Sequence, residues 1–174
     1  MQYFEDKSCK KGDESMKALL KKETNGYTAV FERNLKHPRE EIWAMLTDNN
    51  QLKKWFPELQ AEELKNGGKF KFDMGDGSFE EMEILGFEKP AILEYTWGDD
   101  IVRFELNEFK GGTELILIEK ISEITDHTPK DLAGWHVCLN VIGRLLDGVK
   151  DGSRKDEWKN WYEEYKAATE AIKH

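Results

Sequence analysis

Apolar and polar residues alternate along most of the middle of this chain, and apolar residues fall at helical spacing on either side of that stretch. Residues 27–35 (YTAVFERNL) are rich in β-branched and aromatic side chains and predict a strand. Pro38 then opens a helix. Glu40 and Glu41 fall in its first turn, where the helix dipole favours negative charge, and Ile42, Trp43 and Leu46 form its apolar face. Asn49 and Asn50 break it. Residues 51–56 read as a second short helix that turns Leu52, Trp55 and Phe56 inward. Strands are then expected at about 60–65, 69–74, 79–87, 91–97, 101–109 and 113–121. Turn chemistry separates them: Asn66-Gly67-Gly68, Gly75-Asp76-Gly77, Lys89-Pro90, Gly98-Asp99-Asp100 and Lys110-Gly111-Gly112. Period-2 faces are visible. Phe70, Phe72 and Met74 share one side, as do Leu93, Tyr95 and Trp97, and Val102, Phe104 and Leu106 with Arg103 and Glu105 opposite.

Thr128-Pro129-Lys130-Asp131 has the form of a helix start: a hydroxyl cap, proline at the first helical position and a carboxylate three residues after the cap. The stripe Leu132, Trp135, Leu139, Ile142 and Leu146 follows, and Gly148 ends it. Ser153 and Asp156 repeat the cap pattern before a last helix with Trp158, Trp161, Tyr162 and Tyr165 on one side. The short breaks between strands require antiparallel pairing. A curved antiparallel sheet has an apolar concave face to bury, and the long helix has one stripe to hide. Packing one into the other satisfies both, and a gap between them is a cavity. The expected class is α+β, a curved antiparallel sheet wrapped around a long C-terminal helix.

Composition narrows the partners. The chain has 174 residues, enough for one domain with short extensions. Its net charge is −9, which disfavours nucleic acid and anionic membrane surfaces as partners. No run approaches the ~18 apolar residues of a membrane span, and residues 1–17 lack the apolar core of a signal peptide. Cys9 and Cys138 are the only cysteines and form no disulfide framework, so a reducing cytoplasm is expected. Residues 1–26 read as a partly disordered extension, 27–148 as the domain and 149–174 as a helix packed on it. Lys11-Gly12-Asp13 can be encoded by a purine-rich ribosome-binding sequence just upstream of Met16, so Met16 is read as the start of a bacterial protein.

Catalytic and metal signatures are missing. His37, His127, His136 and His174 do not pair at the spacing of a metal-binding helix. Asp73, Asp76, Asp99 and Asp100 lack the EF-hand pattern and suit turns. Neither GxSxG nor GxxxxGK[ST] occurs, so no metal, cofactor or catalytic residue is assigned. The candidate cavity residues are Trp43, Trp55, Phe56, Phe72, Tyr95, Trp97, Phe104 and Trp135, joined by His136 and Leu139 of the long helix. Wide rings leave irregular gaps on packing, although each ring alone also suits a solid core. His136 is either a helix-edge histidine bonded to a backbone carbonyl or a pocket group that polarises a ligand carbonyl. Arg103 either pairs with a glutamate across the sheet or points inward as an anchor.

Several stretches together resemble a known family. They are the helix after His37-Pro38, Leu52–Phe56 (LKKWF), Gly67-Gly68-Lys69-Phe70, Gly86 with Pro90 and Leu93–Trp97 (LEYTW), Arg103-Phe104, Gly112-Thr113 with Leu115, and Gly134-Trp135 with Leu139. Their order is similar to that of the helix-grip superfamily of START domains, Bet v 1 allergens and polyketide cyclases. More closely it resembles the bacterial branch named for the activator of Hsp90 ATPase. The resemblance spans about residues 27–148. It implies a helix-grip fold with a pocket, but no particular reaction. The expected role is therefore binding of a small apolar or aromatic molecule without chemistry. The alternatives are a cyclase- or hydrolase-type enzyme using His136, Arg103 or a tyrosine, and a co-chaperone-like interaction module. A homodimer is compatible with the sequence.

Overall fold

A computed structural model of the chain describes residues 14–149 and 154–173. The elements are β1 (Leu19–Glu23), β2 (Gly26–Leu35), α1 (Arg39–Thr47), α2 (Asn49–Trp55), β3 (Leu59–Glu63), β4 (Lys69–Asp73), β5 (Phe79–Glu88), β6 (Ile92–Trp97), β7 (Asp100–Phe109), β8 (Gly112–Ile121), α3 (Thr128–Leu146) and α4 (Arg154–Lys173). The strands form one antiparallel sheet in the order β1-β2-β8-β7-β6-β5-β4-β3. From β3 to β8 it is a meander. The two short helices carry the chain from β2 to the far edge at β3. Register shifts between Ala61 and Glu63 and between Ile84 and Gly86 interrupt the ladder on the β3–β5 side, where such bulges add bend and twist.

The inward faces follow the period-2 pattern. Ala29 and Phe31 of β2, Met82 and Ile84 of β5, Leu93 and Tyr95 of β6, Val102, Phe104 and Leu106 of β7, and Leu115 and Leu117 of β8 are all buried. Leu132, Trp135, Leu139 and Ile142 of α3 close over them. Arg103 lies on the other face, with Nε 2.6 Å from Glu105 and a guanidinium nitrogen 3.8 Å from its cross-strand neighbour Glu94.

The sheet begins earlier than the sequence reading, at β1 inside the segment read as an extension. Its sequence LLKKE gives little signal, because an edge strand with one face in water buries almost nothing. Gly26 makes the β1–β2 turn possible. Its φ of 123° suits glycine, and a Cβ there would lie 2.3 Å from the carbonyl oxygen of Ile121. The break after α1 falls at Asp48 rather than at the asparagines. Asp48 caps α2 by accepting the Asn50 N–H at 2.9 Å. The capping box expected at Thr128 does not form: the Thr128 hydroxyl accepts from Thr125 N, and the Asp131 carboxylate bonds elsewhere. Residues 1–13, with Cys9 and the proposed ribosome-binding codons, lie outside the described residues, as do the Ser153 cap and His174.

Candidate ligand cavity

Most of the expected aromatic residues pack against one another. Trp135 is the hub, with ring centroids 5.1 Å from Trp97, 5.8 Å from Phe104, 6.0 Å from Phe56 and 6.5 Å from Trp55. The Trp55 indole donates to the Met45 carbonyl at 2.7 Å and so ties α2 to α1. Tyr95 is sandwiched between Phe70 at 4.7 Å and Phe104 at 6.3 Å. Trp43 sits apart, against Phe87. Leu139 is buried one turn beyond Trp135. These contacts are edge-to-face or tilted, as ring quadrupoles favour, and they fill the middle of the grip.

The open space lies at one end of this cluster. A cavity of about 510 Å³ opens between the N-terminal turn of α3 and the β4–β7 side of the sheet. Small-molecule sites commonly span ~300–1,000 Å³. Of the expected residues, Phe72 and Trp97 line it, with Met74 and Met82 completing its apolar wall. Trp97 is held by its indole N–H, which donates to Asp131 Oδ1 at 2.9 Å. The remaining wall is acidic: Glu80, Asp99, Asp100, Glu123 and Asp131 line the cavity together with His127, and no lysine or arginine does.

Behind that wall is a residue that the sequence reading missed. Glu119 of β8 is fully buried, and no donor among the described residues reaches either of its oxygens. Its carboxyl faces Asp131. Burial, with the Asp131 and Asp100 carboxylates nearby, pushes it well above the usual carboxylate range. A neutral Glu119 shares its proton with Asp131, so the two act as one acid pair. Burial also raises Asp100, against the pull of the Ser122 N–H and hydroxyl that bond it at 3.0 and 3.2 Å. The signal was present in β8, where the inward register reads Thr113, Leu115, Leu117, Glu119, Ile121. The Trp135 indole N–H is a second buried polar group with no partner among the described residues.

His136 lies elsewhere. It packs between α3 and α4, with its ring 3.7 Å from Trp161 in a stack. Nε2 is 2.7 Å from the Glu14 carbonyl, an acceptor, so Nε2 carries the proton. Nδ1 then accepts from the Tyr165 hydroxyl at 2.7 Å, and that hydroxyl accepts from Ala18 N. Burial, and then the nearby Arg33, lower the His136 pKa to about 4. Buried Arg33, on the inward register of β2, donates to Asn140 and to the Met16 carbonyl in the same seam.

Among the described residues no three His, Cys, Asp or Glu side chains group as a metal site would need, and no helix is long and apolar enough to cross a membrane. A family model described as "Activator of Hsp90 ATPase homolog 1-like protein" matches residues 36–147. No curated protein matches the chain. Among solved structures, a conserved protein of unknown function from Enterococcus faecalis is 27% identical with a TM-score of 0.84, over 92% of this chain and 95% of that one. A Bordetella parapertussis protein is 23% identical with a TM-score of 0.67, over 80% and 84%. CalU16 from Micromonospora echinospora is 21% identical with a TM-score of 0.67, over 86% and 94%. The last two likenesses concern the fold alone.

Proposed function

This chain belongs to the activator of Hsp90 ATPase homolog 1-like family, and on that premise we propose that it binds a small, largely apolar or aromatic molecule in the cavity beside Trp97. The observation that carries this reading is the cavity itself: about 510 Å³ of concave space walled by Phe72, Met74, Met82 and Trp97. A packed core leaves few voids larger than a water molecule, so a gap of this size next to wide rings is unusual for a purely structural interior. Phe56, Phe104 and Trp135 support the floor by packing against Phe72 and Trp97. Trp43, Tyr95, His136 and Leu139 serve the core and the helix seam on this reading, and Arg103 the convex face. The working compartment is the cytoplasm, where the thiol of Cys138, pushed up to about 12 by burial, stays reduced.

Native mass spectrometry of gently purified protein, followed by a thermal-shift series with small aromatic compounds, tests the reading. A ligand at about 100 times its Kd adds about 2.7 kcal/mol, which raises Tm by about 5–10 °C in a chain of this length. Trp97→Ala abolishes the shift. A shift that survives Trp97→Ala rules out this cavity.

Acid catalysis on a bound substrate is favoured by one observation, the buried Glu119 acid beside Asp131. Turnover of a bound compound that Glu119→Gln eliminates would establish it.

A further inference from the structure

We infer that the molecule bound beside Trp97 carries a protonated amine, and that its ammonium docks on the Glu119–Asp131 pair with its apolar body against Trp97 and Phe72. This rests on the ligand-binding reading above and names the class of ligand.

Three observations lead to it. First, the cavity wall is of one sign. Glu80, Asp99, Asp100, Glu123 and Asp131 line it without a compensating lysine or arginine, so the concavity focuses a negative potential that concentrates cations. Second, the acid pair lacks donors. Two carboxyl groups offer about eight lone-pair sites. The described donors are the Trp97 indole N–H and the single proton the pair shares. Glu119 is fully buried, turned toward the cavity wall at Asp131, and meets no donor at either oxygen. An ammonium brings three N–H donors and a positive charge, which are the two things the pair lacks. Third, the rings beside the pair suit a cation. Trp97 and Phe72 stand edge-to-face at 6.1 Å on the same wall, and their faces attract a cation within about 6 Å. A metal ion is the poorer occupant, since the carboxyls do not group as a metal site.

Matched pairs of compounds decide the matter by isothermal titration calorimetry: 2-naphthylmethylamine against 2-naphthylmethanol, and 2-phenylethylamine against 2-phenylethanol. The expected result is at least about tenfold tighter binding of each amine, as a charge-assisted hydrogen bond supplies. Asp131→Asn and Glu119→Gln should collapse that ratio to near one while leaving the alcohol's affinity unchanged. Equal or tighter binding of the alcohols overturns the inference and leaves the ligand-binding reading intact. Absence of binding by both members of every pair overturns the two together. Equal loss of amine and alcohol binding in Asp131→Asn assigns that residue a structural role and also overturns the inference. Should either variant fail to fold, the wild-type ratio decides alone.

Discussion

Trp135 and His136 are adjacent in sequence and face different sides of α3. A helix turns about 100° per residue, so Trp135 meets the sheet while His136 meets α4. The apolar stripe read from sequence included both, which is why a histidine of the helix seam entered the list of cavity residues. Its hydrogen bonds fix one tautomer and leave no room for a second proton. Protonation would set a charge against Arg33, and the pKa falls to about 4. The unfolded chain binds that proton at about 6.5. Stability from this residue is therefore complete above pH 6.5 and is lost as pH falls toward 4, by about 3 kcal/mol in all. Glu119 has the opposite sign: its raised pKa makes the fold less stable as pH rises above about 4.5. The two partly cancel in the wild type, so the difference between wild type and His136→Gln is the quantity to follow. Urea midpoints at pH 7.5, 6, 5 and 4 should show that difference shrinking by about 3 kcal/mol. A constant difference across the series contradicts the assignment.

At the scale of elements, the chain ahead of β1 acts as a clasp over the α3–α4 seam. The Glu14 carboxylate takes two hydrogen bonds from Arg144, at 3.0 and 3.2 Å, and Arg144 also grips Glu157 of α4 at 2.8 and 3.0 Å. The Glu14 carbonyl accepts from His136 and, at 3.1 Å, from Asn140. Arg33 binds the Met16 carbonyl, and Ala18 N binds Tyr165. Thus residues 14–18 touch β2, α3 and α4 at once. None of this was readable from the acidic, lysine-rich N-terminal sequence, because its partners lie more than a hundred residues away. A chain beginning at Met16 loses both Glu14 carbonyl bonds and half of the Arg144 grip. Two neutral bonds at about 1 kcal/mol each, with a discounted partly exposed ion pair, predict a loss of at least about 2 kcal/mol. Urea denaturation of the protein with and without its first 15 residues measures it. Equal midpoints would show that the clasp adds nothing.

For the molecule as a whole, the fold was legible because a sheet that buries one face writes a period of two, and a helix that buries one stripe writes a longer one. Those periods set the β2–β8 strands and α3 to within a residue or two. They do not report where the packed interior stops. Ring packing around Trp135 closes the middle of the grip, and the cavity survives only where the sheet is thinnest. There, β3 and β4 pair over five residues or fewer with a bulge between them. The β2–β8 and β7–β8 ladders run nearly the full length of ten-residue strands. Phe72, Met74, Glu80 and Met82, the sheet's share of the cavity wall, all belong to the β4–β5 side. The cavity is thus bounded by the rigid start of α3 and by the part of the sheet with least to hold it. Opening free energies fall with buried contacts and with secure backbone bonding, so amides of β3 and β4 should exchange at least tenfold faster than those of β7 and β8, about 1.4 kcal/mol less protected. Hydrogen exchange read by mass spectrometry tests this, and a ligand beside Trp97 should slow exchange in β4 and β5 while leaving β8 unchanged. Uniform protection across the sheet, or slowing spread evenly over all strands, would mean that the cavity wall is no more yielding than the rest of the grip.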